Sequence, residues 1–201
     1  FATSFGTMGD PQYFPIDENH PRNPMHWYGQ TKYEGEKIVE EASLNNFPSY
    51  LLIKSNVYGI HIIDTTPVFK PTVINKFVES AKANNPISIY EPGTQARNFL
   101  HVKDAAHAYV LAVSKILKAE LHAESFCIAT PEAVSVKNLA EKVVSIAQEY
   151  DFSPSIKMVK NPRTETLVED FSIDTSKAEK VLGYTPHYTI EKAVREMLKI
   201  H

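Results

Sequence analysis

The chain has 201 residues, 43% of them hydrophobic and 22% charged, with a formal net charge of −3. That length supports one sizeable core or two small joined ones, and the slightly acidic balance offers no basic surface for nucleic acid. No apolar run approaches the ~20 residues of a membrane span, no leader peptide is visible, and a single cysteine excludes an internal disulfide framework, so a reducing, cytoplasmic setting is expected.

Residues 1–4 read as the end of a buried strand, and the absence of an initiator methionine suggests a fragment that enters mid-strand. A loop rich in Gly, Pro, Asp and Asn runs on to Pro24. A helix is expected over roughly 26–45, with Tyr28, Lys32, Gly35, Val39 and Ala42 in one stripe at 3.6-residue spacing. Tyr50–Ser55 is a short apolar run of strand type ending at Asn56. Strand, helix, strand in this order implies a parallel α/β sheet.

A helical pattern returns over 67–85, followed by a strand at 87–90 and a turn at Glu91-Pro92-Gly93-Thr94. Phe99–Val102 is strand-like, with Asp104 as N-cap of a helix over 105–118. Ser125–Ala129 reads as a strand that buries Cys127, and 135–150 as an amphipathic helix. Ser176 with Glu179 forms a capping box, Gly183 stops that helix, and a last helix covers about 189–199. The eight histidines show no metal-ligand spacing, and His101 reads as a structural strand residue.

Tyrosine stands four residues before lysine three times: Tyr28/Lys32, Tyr33/Lys37 and Tyr50/Lys54. The bare spacing is weak, since about one such pair is expected by chance. Tyr50 and Lys54 lie on a strand, roughly 13 Å apart, too far to act on one atom group. Tyr33 and Lys37 are rotated by roughly 140° from the first pair and lie among Glu34, Glu36, Glu40 and Glu41, the composition of a solvated face. Tyr28/Lys32 remains, at a first helical turn that can point into a loop-lined cleft.

The context of that pair, "WYGQTKYEGEK", resembles the Tyr-x-x-x-Lys helix of the extended short-chain dehydrogenase/reductases, the family of nucleotide-sugar epimerases and dehydratases. Four further stretches resemble that family in the same order. They are "FATSFGTMGD", "LLIKSNVYG", "RNFLHVKDAAHAYVLAV" (with Asn98 where the family has Asp) and "IDTSKAEKVLGYTPHYTIEKAVREML". The resemblance spans essentially the whole chain.

It implies an α/β fold: the C-terminal part of a Rossmann-like parallel sheet with a smaller α/β substrate-binding lobe. Residues 1–60 would be the remnant of the Rossmann-like domain. Residues 61–201 would form the substrate lobe, with about 97–130 returning to the sheet. Ser4, Tyr28 and Lys32 would be catalytic, with Tyr28 and Lys32 also holding NAD through its nicotinamide ribose. An unperturbed tyrosine, with pKa near 10, is a poor base at neutral pH; a lysine one turn away and the cationic nicotinamide both favour phenolate. Asn56, Arg97 and Arg163 would hold a nucleotide-diphosphate sugar, by analogy a UDP-sugar, and arginine's planar fork suits a diphosphate. A homodimer is expected, with no nucleic-acid, membrane or metal partner.

Three departures shape the expected function. The glycines, at 6, 9, 29, 35, 59, 93 and 183, form no dinucleotide fingerprint, so the N-terminal half of the NAD site is missing and NAD binding should be weak or absent. The family's 4,6-dehydratases carry an Asp-Glu pair directly after the Ser/Thr; here Phe5 and Gly6 follow Ser4, which favours a 4-epimerase, removing and returning hydride, over an eliminating enzyme. Met8 stands where the family usually has tyrosine. The alternatives are a truncated, non-catalytic nucleotide-sugar-binding or dimerising module, and a dehydratase, reductase or decarboxylase on the same scaffold.

Overall fold

The computed structural model describes residues 1–118, 122–162 and 168–200. In chain order its strands and helices are β1 (Ala2–Ser4), α1 (Trp27–Ser43), β2 (Ser49–Lys54), β3 (Asn56–Tyr58), β4 (His61–Ile63), β5 (Thr66–Val68), α2 (Val73–Lys82), β6 (Ile87–Tyr90), β7 (Ala96–His101), α3 (Val102–Ile116), β8 (Ala123–Ile128), β9 (Ala133–Ser135), α4 (Val136–Gln148), β10 (Ile156–Val159) and α5 (Ile190–Leu198). They divide between two compact units. Among the described residues no helix is long and apolar enough to cross a membrane.

The first unit comprises Phe1–Ser55, Lys103–Glu132 and Phe171–Pro186. Its sheet, in order β1-β2-β8, is wholly parallel. A parallel sheet is covered on both faces, which explains the unbroken apolar run Leu51-Leu52-Ile53, at most 1% exposed. Phe5, Met8, Ile16, Ile53, Cys127, Ala129 and Ile173 share one core cluster. Met8 therefore fills this core, and the strand reading of Cys127 holds. A parallel bridge from Ile16 to Ile173 ties the N-terminal loop to the C-terminal segment of the unit.

Helix α1 departs from its expected stripe. The buried line is Gly29, Glu36 and Ser43, seven residues apart, while Tyr28 is 60% exposed and Ala42 is exposed. The helix thus turns glycine, a carboxylate and serine inward, a pattern that hydrophobic periodicity alone does not detect. The C-terminal capping box also differs: Ser176 donates its backbone N–H to Asp174 Oδ1 at 2.8 Å, so Asp174 caps a turn that continues as π-helix over Ala178–Leu182. Hydrogen bonds from Ser176 hold the Asp174 carboxyl below its usual range. Gly183, left-handed at φ 77°, ends it as expected.

The second unit comprises Asn56–Val102, Ala133–Asp170 and His187–His201. Strand β7 pairs parallel with β3 and antiparallel with β9, β6 pairs parallel with β10, and β4 and β5 form a hairpin. Helices α2, α4 and α5 enclose a core that includes Ile74, Phe77, Leu139, Val143, Val194 and Met197. The hairpin takes up residues at the start of the expected 67–85 helix; α2 begins only at Val73, after Pro67 and Pro71. Strand β7 runs straight into α3, so Asp104 sits inside the first helical turn, where its charge complements the helix dipole, rather than at the N-cap.

Candidate active site

In the first unit a short 3-10 turn, Phe5–Thr7, follows β1. Ser4 caps it: its Oγ accepts the Gly6 N–H at 3.2 Å, and its carbonyl accepts the Thr7 hydroxyl at 3.0 Å. The N-terminal turn of α1 packs directly on this segment. Only glycine permits the approach, because a Cβ on Gly29 would stand 2.2 Å from the Gly6 carbonyl oxygen. Gly6 in turn lies between two side chains of interest: a Cβ there would be 3.6 Å from both Ser4 Oγ and Tyr28 Cδ1. One turn along, Lys32 Nζ lies 5.9 Å from the Tyr28 ring centre and donates to the Ala2 carbonyl at 3.1 Å. Ser4 and Tyr28 thus flank one glycine, and Lys32 lies one turn along the helix from Tyr28, against the start of β1.

A buried polar clamp fixes α1 against β1. Glu36, 2% exposed, accepts a hydrogen bond from the Thr3 hydroxyl and an ion pair from Arg22 Nε at 3.0 Å. Arg22 also donates to the carbonyls of His20 and Glu18. The expectation that Glu36 belongs to a solvated face is therefore corrected. A run of glutamates looks uniformly polar, but the residue seven positions on from Gly29 turns inward and finds an arginine from the loop. Tyr33 and Lys37 do lie outside: Lys37 pairs with the exposed Glu34 at 2.6 Å, and that hydrogen bond raises its proton affinity.

The third pair resolves differently. Tyr50 is buried edge-on against Phe126, at 4.9 Å between ring centres. Lys54 instead stands in register with Ser4 across the sheet, its ammonium 5.4 Å from the Tyr109 ring centre on α3. Sequence reasoning missed Lys54 because its partner lies 55 positions away on another helix. Its position at the C-terminal end of a buried parallel strand, where sites in α/β sheets gather, was the available signal.

In the second unit Asn56 and Arg97 share a face of the β3–β7 pair, since Asn56 is level with Phe99, two residues beyond Arg97. Asn56 is exposed and donates Nδ2 to the Asn98 carbonyl at 3.0 Å; Arg97 is half-buried and donates to the Ala96 carbonyl. Arg163 lies outside the described residues. His101 is buried and stacked on Tyr188 at 4.0 Å. The Cys127 backbone N–H donates to Glu18 Oε1 at 2.7 Å, and burial pushes its thiol far above the usual range, leaving it inert as a nucleophile.

A model of the family described as GDP-mannose 4,6 dehydratase matches residues 2–197. A Methanocaldococcus jannaschii protein, provisionally named as a UDP-glucose 4-epimerase, is 31% identical over 98% of this chain and 61% of its own length. The Lactobacillus helveticus UDP-glucose 4-epimerase is 27% identical over the whole chain and 63% of its own length. Among solved structures, the Thermotoga maritima UDP-glucose 4-epimerase with UDP-glucose superposes with a TM-score of 0.80, at 25% identity, over 100% of this chain and 62% of that one. The chain therefore spans about three fifths of the length of these relatives. With a matching family model over nearly every residue and a parallel α/β fold that superposes on such enzymes, the chain belongs to the extended short-chain dehydrogenase/reductases, in the nucleotide-sugar epimerase and dehydratase family.

Proposed function

We propose that this chain carries the proton-transfer and sugar-binding part of a nucleotide-diphosphate-sugar 4-epimerase acting on a UDP-sugar. The observation that supports the reading is that Ser4 and Tyr28 flank Gly6 while Lys32 stands one helical turn from Tyr28, bonded to the Ala2 carbonyl of the same strand as Ser4. Tyr28 Oη takes the proton of the sugar hydroxyl as its O–H bond breaks, Ser4 Oγ holds that hydroxyl by a hydrogen bond, and Lys32 supplies the positive charge that favours phenolate. When bound, NAD supplies the hydride acceptor at the adjacent sugar carbon. Asn56 and Arg97 hold the sugar nucleotide's polar groups, with Arg163 assigned to the same task.

Phe5 favours epimerisation over water elimination. The position that an acid/base residue takes in the dehydratases holds a phenyl ring, 6% exposed and edge-on to Phe171 at 6.3 Å. Nothing there can protonate a leaving hydroxyl. The UDP-sugar assignment follows the similar enzymes, which are described as acting on UDP-glucose.

The residues present fit one end of NAD. The exposed Tyr28 ring and the Lys32 ammonium can meet the nicotinamide ribose. None of the seven glycines forms the cradle that wraps a pyrophosphate. The 201-residue chain should accordingly show no saturable NAD binding in the micromolar range by calorimetry; a micromolar isotherm would overturn this placement of the pyrophosphate site. The activity is tested on the full gene product with NAD, which should interconvert UDP-glucose and UDP-galactose. Tyr28→Phe should lower kcat there by about 10²–10⁴-fold with UDP affinity kept. A full-length protein that eliminates water, or a fully active Tyr28→Phe variant, would sink the reading.

A further inference from the structure

Lys54 closes β2 at the C-terminal edge of a parallel sheet, in register with Ser4 of β1. Partners in register point to the same face of strands about 4.8 Å apart, so the lysine leaves the sheet beside the Ser4 hydroxyl. A lysine at a strand end is free to extend its ammonium into water. This one is half-buried over the Tyr109 ring of α3, with Nζ 5.4 Å from the ring centre.

The protein gives this ammonium no counter-charge. Other lysines of the same unit that stand over a ring are partnered. Lys37, over Tyr33, pairs with Glu34 at 2.6 Å, and Lys177, over Phe126, pairs with Glu124 at 3.3 Å. Lys32, over Tyr28, donates to the Ala2 carbonyl at 3.1 Å. Among the described residues Lys54 has neither a carboxylate nor a hydrogen-bond acceptor. Tyr109 supplies no anion: its hydroxyl is buried without a partner, and burial raises its pKa, so the phenol stays neutral. Burial lowers the proton affinity of Lys54 itself. A cation drawn partly out of water and held by a ring face alone is stabilised by a ligand that brings negative charge.

Sugar chemistry limits which anion that is. In the function proposed above, Ser4 holds the hydroxyl of the reacting carbon, C4. The diphosphate is joined at C1, across the pyranose ring from C4, so it is not the charge that meets Lys54. Groups on the carbons flanking C4 lie within a strand spacing of that hydroxyl. The anion a sugar carries there is a carboxylate, either the C6 acid of a hexuronate, joined at C5, or an acid-bearing ether on the C3 oxygen.

We propose that Lys54 is a specificity-determining residue: steadied by the Tyr109 ring beside Ser4, it binds a sugar carboxylate next to C4 and makes acidic UDP-sugars the preferred substrate class. This deepens the function proposed above and rests on it for placing C4 at Ser4.

The test compares each acid with its neutral counterpart on the full gene product with NAD: UDP-glucuronate against UDP-glucose, and UDP-N-acetylmuramate against UDP-N-acetylglucosamine. One pair should show a higher kcat/KM for the acid, and which pair does so tells C5 from C3. Lys54→Met should lower that acid-to-neutral ratio by about 10–100-fold, mostly through KM, because a charge-assisted hydrogen bond is lost. Lys54→Arg should keep most of the ratio. Lys54→Gln repeats the measurement if the methionine variant does not fold. No acid preference in either pair, or a preference that survives loss of the charge, overturns the proposal. Calorimetry with the same four ligands reads the preference without turnover. An acid preference in binding that Lys54→Met abolishes, in a protein that converts none of the sugars, would strike the epimerase reading and keep the subsite. Interconversion of UDP-glucose and UDP-galactose with no acid preference would do the reverse.

Discussion

On the proposed function, Gly29→Ala is expected to reduce turnover by about two orders of magnitude, through displacement of a neighbour rather than loss of a reacting group. Two effects compete at this site. In an exposed helix, alanine is favoured over glycine by about 1 kcal/mol. Here the new Cβ would meet the Gly6 carbonyl oxygen at 2.2 Å and the Gly6 carbonyl carbon and Pro24 Cβ at 3.0 Å. Backbone atoms cannot swing aside as a flexible side chain can, and overpacking of this kind costs about 1–3 kcal/mol. The helix start must therefore move away from the Phe5–Thr7 turn, taking Tyr28 from Ser4 while leaving both side chains intact. A contact of 2.2 Å has to relax by an ångström or more, and a misplacement of about 1 Å suffices for roughly 10²-fold in rate.

Gly35→Ala supplies the control on the same helix. Its Cβ would meet only the tip of the Phe1 ring, at 2.5 Å, which can rotate, so kcat should change far less. Urea denaturation and steady-state kinetics on both variants check this. Equal kinetics for Gly29→Ala and Gly35→Ala would show that the close approach of α1 to the turn does not position the site.

How much of this was legible in the sequence depends on the range of the interaction that decides each feature. The parallel strands and the helix bearing Tyr28 were readable because apolar runs and 3.6-residue spacing are local. So was Gly183, since a left-handed helix end needs a residue without a Cβ. The turn-to-helix contact behind Gly29 was not readable, because an inward glycine and an outward one look alike until two distant segments meet. Glu36 was misjudged for the same reason: its partners Thr3 and Arg22 come from 33 and 14 positions away. Lys54 was set aside together with Tyr50, since spacing offers it no other tyrosine, while the fold places its ammonium over Tyr109. Of the proposed sugar-nucleotide residues, Asn56 and Arg97 fall on one strand pair because the short strand Asn56–Tyr58 runs parallel to Ala96–His101, a relation that chain order suggests but does not establish.

Glu36→Ala is expected to cause the largest loss of stability, about 3 kcal/mol, or roughly a 6–12 °C fall in Tm for a chain of this size. The exposed side-chain fractions are 3% for Glu36 and 13% for Arg22, so the pair is largely screened from water by protein. Deleting the carboxylate leaves the guanidinium, among the described residues, with the Glu18 and His20 carbonyls and strips the Thr3 hydroxyl of its acceptor. Removing one partner of a buried pair costs about 3–5 kcal/mol, and the two remaining carbonyls place this case at the lower end. Glu36→Gln keeps an acceptor for Thr3 and the same volume, so it should lose roughly half as much. Glu34→Ala, which breaks the exposed Glu34–Lys37 pair on the same helix, should stay within about 0.5 kcal/mol. The series separates burial from charge: equal urea midpoints for Glu34→Ala and Glu36→Ala would mean that the clamp carries no stability. The expected order, Glu36→Ala well below Glu36→Gln and both below Glu34→Ala, would identify the buried Glu36–Arg22 pair, with Glu36 four residues from Lys32 and bonded to Thr3 beside Ser4, as what holds the helix of Tyr28 to its strand.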